Sequence, residues 1–268
     1  MNRTSIGIVG CGAIGKAVLQ AVDRGEIDVD VAGVCSRTAS TAQAFVDTLE
    51  HDWPVLGQAE LIEASDLVVE AAGGDVVKQL AKATFDAGKD LMLISVGALV
   101  RHPEIMDRSR ETGCRLLMPS GAIIGLDGIK SASVGHLDHV TMTSRKSPAA
   151  LDGAPYIIEH EIDLWGLTEE TEVFSVSATE AAVGFPANLN ISVAVSFAGI
   201  GPDRTTVKLV AVPGLGRNCH DIEVEGEFGL MRLHLENIPS ENPKTGKLTA
   251  MSIIRTIQQA VDPVHLGT

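Results

Sequence analysis

Two stretches of this chain combine residue types and spacings that could do chemistry. Near the start, Gly10-Cys11-Gly12-Ala13-Ile14-Gly15 places three glycines at G-x-G-x-x-G spacing, between the apolar run Ile6-Gly7-Ile8-Val9 and the helical pattern Lys16-Ala17-Val18-Leu19-Gln20-Ala21-Val22. A strand, a tight turn and a helix in that order make a cradle for a dinucleotide. The first glycine permits the turn, the second lets backbone approach a pyrophosphate, and the third lets helix pack on strand. Gly10, Gly12, Ala13, Ile14 and Gly15 are therefore candidate cofactor contacts, because the unpaired N–H groups and dipole of a helix N-terminus favour phosphate. A purely structural glycine turn is the alternative. The second stretch is Arg217-Asn218-Cys219-His220-Asp221, which follows the turn Pro213-Gly214-Leu215-Gly216 and opens a strand pattern. An imidazole with a pKa near neutrality can accept and return protons, so His220 is a candidate general acid/base; a hydrogen-bonded structural histidine is the competing reading.

Cofactor choice should be written at the end of the second strand, Val29-Asp30-Val31-Ala32-Gly33-Val34-Cys35, about twenty residues past the glycines. Many NAD-specific proteins carry a carboxylate there. Here Ser36-Arg37-Thr38 offers a hydroxyl and a guanidinium instead. Ser36 and Arg37 thus predict that NADP is accepted, alongside NAD, since an arginine fork suits a 2′-phosphate. The alternative is that Arg37 is a solvated charge stacking on adenine.

The elements that must position these residues follow from periodicity. Helical spacing over Thr38 to Leu49, Val76 to Ala87 and Pro103 to Thr112 alternates with strand patterns at Asp66 to Glu70, Leu91 to Ala98 and Cys114 to Met118. This α/β alternation predicts a Rossmann-type doubly wound parallel sheet. Its ligand rim would comprise Gly10 to Gly15, Ala71 to Gly74 (with Ala72) and Ser95 to Ala98. After Pro119 the pattern changes. Ser120-Gly121-Ala122-Ile123-Ile124-Gly125-Leu126-Asp127-Gly128 is too glycine-rich for an ordinary helix and could bring its backbone near a cofactor ring. Period-two alternation at Val140 to Arg145, Thr171 to Ala178, Thr205 to Val212, Cys219 to Glu225 and Glu227 to Leu235 predicts a second α+β domain with a mostly antiparallel sheet. A helix-like run spans Thr179 to Phe197 around Pro186. A last helix, about Leu248 to Val261, is expected to return to the first domain, whose sheet needs cover on both faces. The boundaries are accordingly 1–118 with 240–268 for dinucleotide binding, and 119–239 for catalysis and dimerisation.

With 268 residues, 45% of them hydrophobic, the chain can fill a sizeable core. A formal charge of -14 argues against nucleic acid as a partner, because a polyanion would be repelled over most approaches. The start shows no signal-peptide pattern and no apolar run long enough to span a membrane, so a cytoplasmic, membrane-free protein is expected. Cys11, Cys35, Cys114 and Cys219 form no C-x-x-C pair. Free thiols in a reducing compartment are expected, and no metal site.

Across its length the chain resembles the L-aspartate dehydrogenase family. The resemblance runs from the glycine turn through Val69-Glu70-Ala71-Ala72-Gly73, Ser95-Val96-Gly97-Ala98-Leu99, Pro119-Ser120-Gly121-Ala122-Ile123 and Thr143-Ser144-Arg145-Lys146. It continues in Asn188-Leu189-Asn190-Ile191-Ser192-Val193-Ala194, Gly201-Pro202-Asp203-Arg204-Thr205, Asn218-Cys219-His220 and Asn242-Pro243-Lys244-Thr245-Gly246-Lys247. It implies an NAD(P)-dependent oxidative deamination of L-aspartate through iminosuccinate to oxaloacetate and ammonia, or the reverse, with a link to NAD biosynthesis. On matching positions it implies that Ala122 and Asn190 contact the nicotinamide cofactor and that His220 is the active-site residue. Asn190 as a helix-capping amide is the alternative. The substrate's two carboxylates need cationic partners when desolvated. Arg145 and Lys146 are the first choice, ahead of Arg204, Arg217 and Lys244. A homodimer is expected, formed through the second domain's sheet. The competing functions are a homoserine-dehydrogenase-like or dihydrodipicolinate-reductase-like oxidoreductase, and a nucleotide-sensing module without turnover.

Overall fold

The computed structural model describes residues 3–185, 190–238 and 247–268. It divides into two compact units, Met1–Pro119 with Ala250–His265, and Ser120–Thr249 with Leu266–Thr268.

The first unit alternates β1 (Ser5–Val9), α1 (Ala13–Asp23), β2 (Asp30–Cys35), α2 (Ala39–Val46), α3 (Gln58–Ala64), β3 (Leu67–Glu70), α4 (Val77–Asp86), β4 (Asp90–Leu93), α5 (Ala98–Arg101), α6 (Glu104–Thr112) and β5 (Leu116–Leu117). All strand pairings are parallel, in the order β2-β1-β3-β4-β5. The central strands bury both faces: Ile6, Ile8, Leu67, Val68, Val69, Leu91, Met92 and Leu93 are all at most 1% exposed. Helices on both sides cover such a sheet, which explains why these strands read as continuous apolar runs. The fourth strand is shorter than its apolar run. It stops at Leu93, because the N–H groups of Ile94 and Ser95 turn away from the ladder to the carboxylate of Glu70. Helix α3 has no clear sequence signal, being seven residues long with Leu61 and Ile62 its buried residues.

The second unit contains α7 (Leu126–Ala132), β6 (Leu137–Lys146), α8 (Pro148–Leu151), α9 (Pro155–Glu159), β7 (Thr171–Ser177), α10 (Ala178–Gly184), α11 (Asn190–Ala198), β8 (Thr206–Ala211), β9 (Asn218–Gly226) and β10 (Gly229–Asn237). Its sheet has the order β10-β9-β6-β8-β7 and is antiparallel except where β6 runs parallel to β8. Three of its features differ from the sequence expectation. A helix does form from Leu126, after Gly125 at φ 79° ends the glycine-rich turn. Glu227 and Phe228 lie in the β9–β10 hairpin turn rather than in a strand. The helical run at Thr179 to Phe197 is two helices, α10 and α11; Pro186, Asn188 and Leu189 between them lie outside the described residues. A capping box at Ser177 and Glu180 starts α10: the Ser177 hydroxyl accepts from the Glu180 N–H at 3.2 Å, and the Glu180 carboxylate accepts from the Ser177 N–H at 3.0 Å.

The last helix, α12 (Lys247–Val261), carries its Ala250–Val261 portion into the first unit. Ile253 and Ile257 are fully buried there with Ile6, Ile8, Val18 and Val22, and the Gln258 amide donates to the Glu26 carbonyl at 2.8 Å. Among the described residues, no helix is long and apolar enough to cross a membrane. Ile257→Ala should destabilise the first unit by about 2–5 kcal/mol, through lost transfer energy and a cavity. Exposed Arg255→Ala should stay within about 0.5 kcal/mol. Chemical denaturation followed by circular dichroism checks both.

Candidate active site

In the first unit the turn between β1 and α1 has the geometry the glycines require. Gly10 has φ 106°, and a Cβ there would overlap the Ala71 carbonyl and lie 2.7 Å from the Ala72 nitrogen. A Cβ at Gly15 would collide with the carbonyl of Gly10. Gly12, the residue before α1, differs, because a Cβ there would meet no protein atom within 4 Å. Packing does not demand a glycine at that position, whereas close approach of an external group does. Helix α1 has neither a side-chain cap nor an acidic residue in its first turn, so its N-terminal N–H groups are left to an anion. These residues fit a dinucleotide pyrophosphate. Ser36 and Arg37 directly follow β2, Ser36 half-buried and Arg37 exposed, and the N–H of Gly10 donates to the Cys35 carbonyl at 2.7 Å. The end of β2 is thereby tied to the glycine turn.

Parallel register brings the remaining rim segments together, with Val9 beside Glu70 and Glu70 beside Leu93. Glu70 is completely buried and accepts from the N–H groups of Ala72 and Gly73, both at 2.8 Å, and of Ser95 at 2.9 Å.

In the second unit, strand alternation turns every other residue of β9, and of β6 beyond a register shift after Leu137, toward the helices. Along β6 these inward residues are Leu137, Val140 and Met142, then Ser144 and Lys146; along β9 they are Val224 and Ile222, then His220 and Asn218. The first members pack with Ile123, Ile129, Val195 and Ala198. The later members form a polar end on the same face. Ser144 lies directly opposite His220, and its hydroxyl shares a 3.0 Å hydrogen bond with His220 Nδ1. Asn237, opposite Asn218 on β10, is also buried and donates through Nδ2 to the Ala122 carbonyl at 2.7 Å. That bond fixes the backbone of the glycine-rich segment. Asn190 is the first residue of α11 and is partly buried.

The electrostatics of this polar end differ from the near-neutral imidazole expected from sequence. Burial, and then the nearby charge of Lys146, hold His220 down to a pKa of about 3, with Asp221 opposing weakly. Removing an imidazolium from water is costly, and a neighbouring ammonium adds to that cost. His220 is therefore neutral in the free protein at physiological pH. Lys146, 2% exposed, is itself pushed down to about 8 by burial.

Sequence reasoning treated Arg145 and Lys146 together, but alternation separates them. Arg145 points to the other face of β6, where it bonds Glu170 at 2.8 Å and pairs with Asp221. Asp221 in turn accepts from His234 Nδ1 at 2.6 Å, and this raises the histidine's pKa. Arg217 pairs with Glu236 at 3.0 Å, Arg204 lies exposed in the turn before β8, and Lys244 falls outside the described residues. Ser144, Asn218, Asn237 and Glu70 were not singled out from sequence as site residues. Polar residues at the inward register positions of apolar strands are the signal that could have found them.

A family model described as the NAD binding domain of homoserine dehydrogenase matches residues 10–119, and one described as the C-terminal domain of aspartate dehydrogenase matches residues 127–260. An L-aspartate dehydrogenase of Methanosarcina mazei is 43% identical over 268 residues, covering 98% of this chain and 99% of the relative. The chain belongs to the L-aspartate dehydrogenase family. L-aspartate dehydrogenase 3 of Bordetella bronchiseptica is 41% identical, covering 100% of this chain and 98% of its own. The crystal structure of aspartate dehydrogenase from Thermotoga maritima shares the fold, with a TM-score of 0.76 at 22% identity over 99% of this chain and 100% of that one. The match over residues 10–119 is to an NAD binding domain, and NAD or NADP is the cofactor.

The His220 assignment has a direct spectroscopic check. Across pH 5 to 8 its ring nitrogens should keep the chemical shifts of a neutral imidazole in NMR. Replacing Lys146 with Met should raise the His220 pKa, because a charge that opposes the imidazolium is gone.

Proposed function

We infer that the chain is an NAD(P)-dependent L-aspartate dehydrogenase, interconverting L-aspartate with iminosuccinate, and then oxaloacetate and ammonia. The observation that carries the residue roles is the buried Ser144–His220–Lys146 cluster on an otherwise apolar sheet face. When bound, the nicotinamide accepts the hydride released from the amino acid's Cα.

Lys146 is the residue that meets a substrate carboxylate. A substrate carboxylate leaving water requires a cationic group, and Lys146 is a buried one beside the imidazole. Arg145, engaged with Glu170 and Asp221 on the opposite face, is the lesser candidate. His220 handles protons: its neutral ring takes one from the water that attacks iminosuccinate and returns one to the departing ammonia. The low pKa of the free protein suits this role once substrate is present. A dicarboxylate beside Lys146 offsets the smaller cause of that low value, burial being the larger, so His220 gains some basicity when the substrate arrives. Ser144 holds Nδ1 and leaves Nε2 for the water. Ala122, whose carbonyl accepts from Asn237, and Asn190 are assigned to cofactor contact on the strength of the family resemblance. Ser36 and Arg37 accept NADP as well as NAD. The iminosuccinate formed would be available to NAD biosynthesis. Four free cysteines suit a cytoplasmic setting, and the second unit's sheet is the face assigned to a homodimer contact.

Oxidation of NAD(P)H should proceed with oxaloacetate plus ammonia and not with aspartate semialdehyde. His220→Ala should lower kcat about a hundredfold or more, and Lys146→Met should raise KM for aspartate far more than KM for cofactor. Near-normal turnover in the His220 variant would remove it from the mechanism. Sedimentation equilibrium should give twice the chain mass of 28.2 kDa; a monomer mass would refute the dimer.

A further inference from the structure

Glu70 ends β3 with its side chain fully buried at the carboxyl edge of the parallel sheet. A carboxylate in that position is expensive unless its lone pairs are filled. Here they are filled without a cation. Oε1 accepts from the N–H groups of Ala72 and Gly73 and from the Ser95 hydroxyl at 3.1 Å, while Oε2 accepts from the N–H groups of Ile94, at 3.2 Å, and Ser95. Four of the five donors are backbone groups, and they come from two different turns, those following β3 and β4. No Lys, Arg or His forms an ion pair with Glu70 among the described residues. One acceptor group thus determines where two rim turns sit relative to each other.

The first of those turns also touches the phosphate cradle. The Ala71 N–H donates to Val9 at 2.7 Å, and the Ala71–Ala72 peptide lies where a Cβ on Gly10 would be. A displacement of residues 71–73 therefore passes to the glycine turn. In a sheet of this order the dinucleotide lies across the carboxyl ends of the strands, from β2 over β1 toward β3 and β4. We propose that Glu70 is a positioning residue for the cofactor: an internal carboxylate, tied to backbone donors of both rim turns, that presets the bed on which the nicotinamide half of NAD(P) rests. Its effect on the cofactor passes through the turns, and it makes no contact with substrate. The proposal rests on the cofactor reading of the rim and is independent of His220, Lys146 and the identity of the amino acid.

The test uses Glu70→Gln, Glu70→Asp and Ser95→Ala in the full-length protein, with NADH and NADPH affinity measured by fluorescence titration and KM measured separately for cofactor and aspartate. An amide must turn its NH2 toward N–H donors of one turn, so Glu70→Gln replaces attraction with repulsion there. Cofactor Kd and KM should rise about tenfold or more, the scale expected for losing charge-assisted hydrogen bonds. KM for aspartate at saturating cofactor should stay within about twofold, because the second unit is untouched. Ser95→Ala removes the hydroxyl donor while keeping the backbone bonds, and should weaken the cofactor by only about two- to fourfold. Glu70→Asp, charged but one methylene shorter, should fall between the two. A folded Glu70→Gln protein with wild-type cofactor affinity overturns the proposal, and so does an equal loss in both KM values, which marks a general structural role. If Glu70→Gln fails to fold, Glu70→Asp and Ser95→Ala decide: graded loss of cofactor affinity supports the proposal, and unchanged affinity in both overturns it. Failure of the wild-type protein to bind either dinucleotide would instead overturn the cofactor reading.

Discussion

Burying a charge or an imidazole in an apolar sheet face costs free energy that hydrogen bonds and partners must offset, and both units of this protein place polar groups under that constraint. In the second unit, helices cover one face of a five-stranded sheet, and its inward positions are apolar from Leu137 to Met142 on β6 and from Val224 to Ile222 on β9. At the next positions the same register delivers Ser144, Lys146, His220 and Asn218. The result is a polar end that water scarcely reaches. There burial lowers the pKa of both the ammonium and the imidazole, and the charge of Lys146 lowers that of His220 further.

The first unit answers the same constraint differently. Its buried carboxylate is surrounded by backbone N–H groups, so no cation is needed and the charge acts as an internal clamp on the sheet's rim. The glycine turn, the β3 turn and the β4 turn are consecutive along the carboxyl edge because the strand order is β2-β1-β3-β4-β5. Positive φ and close packing hold the first, at Gly10, and the one carboxylate of Glu70 holds the other two. A rim assembled before the cofactor arrives spends less binding energy on ordering it.

Function then divides along the chain. The first unit supplies a phosphate cradle whose one unpacked glycine, Gly12, is shaped for a group outside the protein. The second carries the buried imidazole and ammonium to which we assign proton transfer and carboxylate binding. The family relationship to L-aspartate dehydrogenases joins the two units in one reaction.

Local pattern determined much of this. The G-x-G-x-x-G turn, the strand and helix alternation of the first 118 residues and the period-two strands of the second half are legible because each rests on neighbours a few residues apart. His220 and Lys146 were also visible, as types suited to proton transfer and carboxylate binding. Tertiary structure alone decided what they became. It paired Ser144 with a histidine 76 positions away and pressed His220 to a pKa of about 3. It also turned Glu70, one acidic residue at a strand end, into the acceptor for two turns, one of them reached through Ser95, 25 residues away. Desolvation and long-range register depend on which segments pack together, and no local window of sequence contains that information.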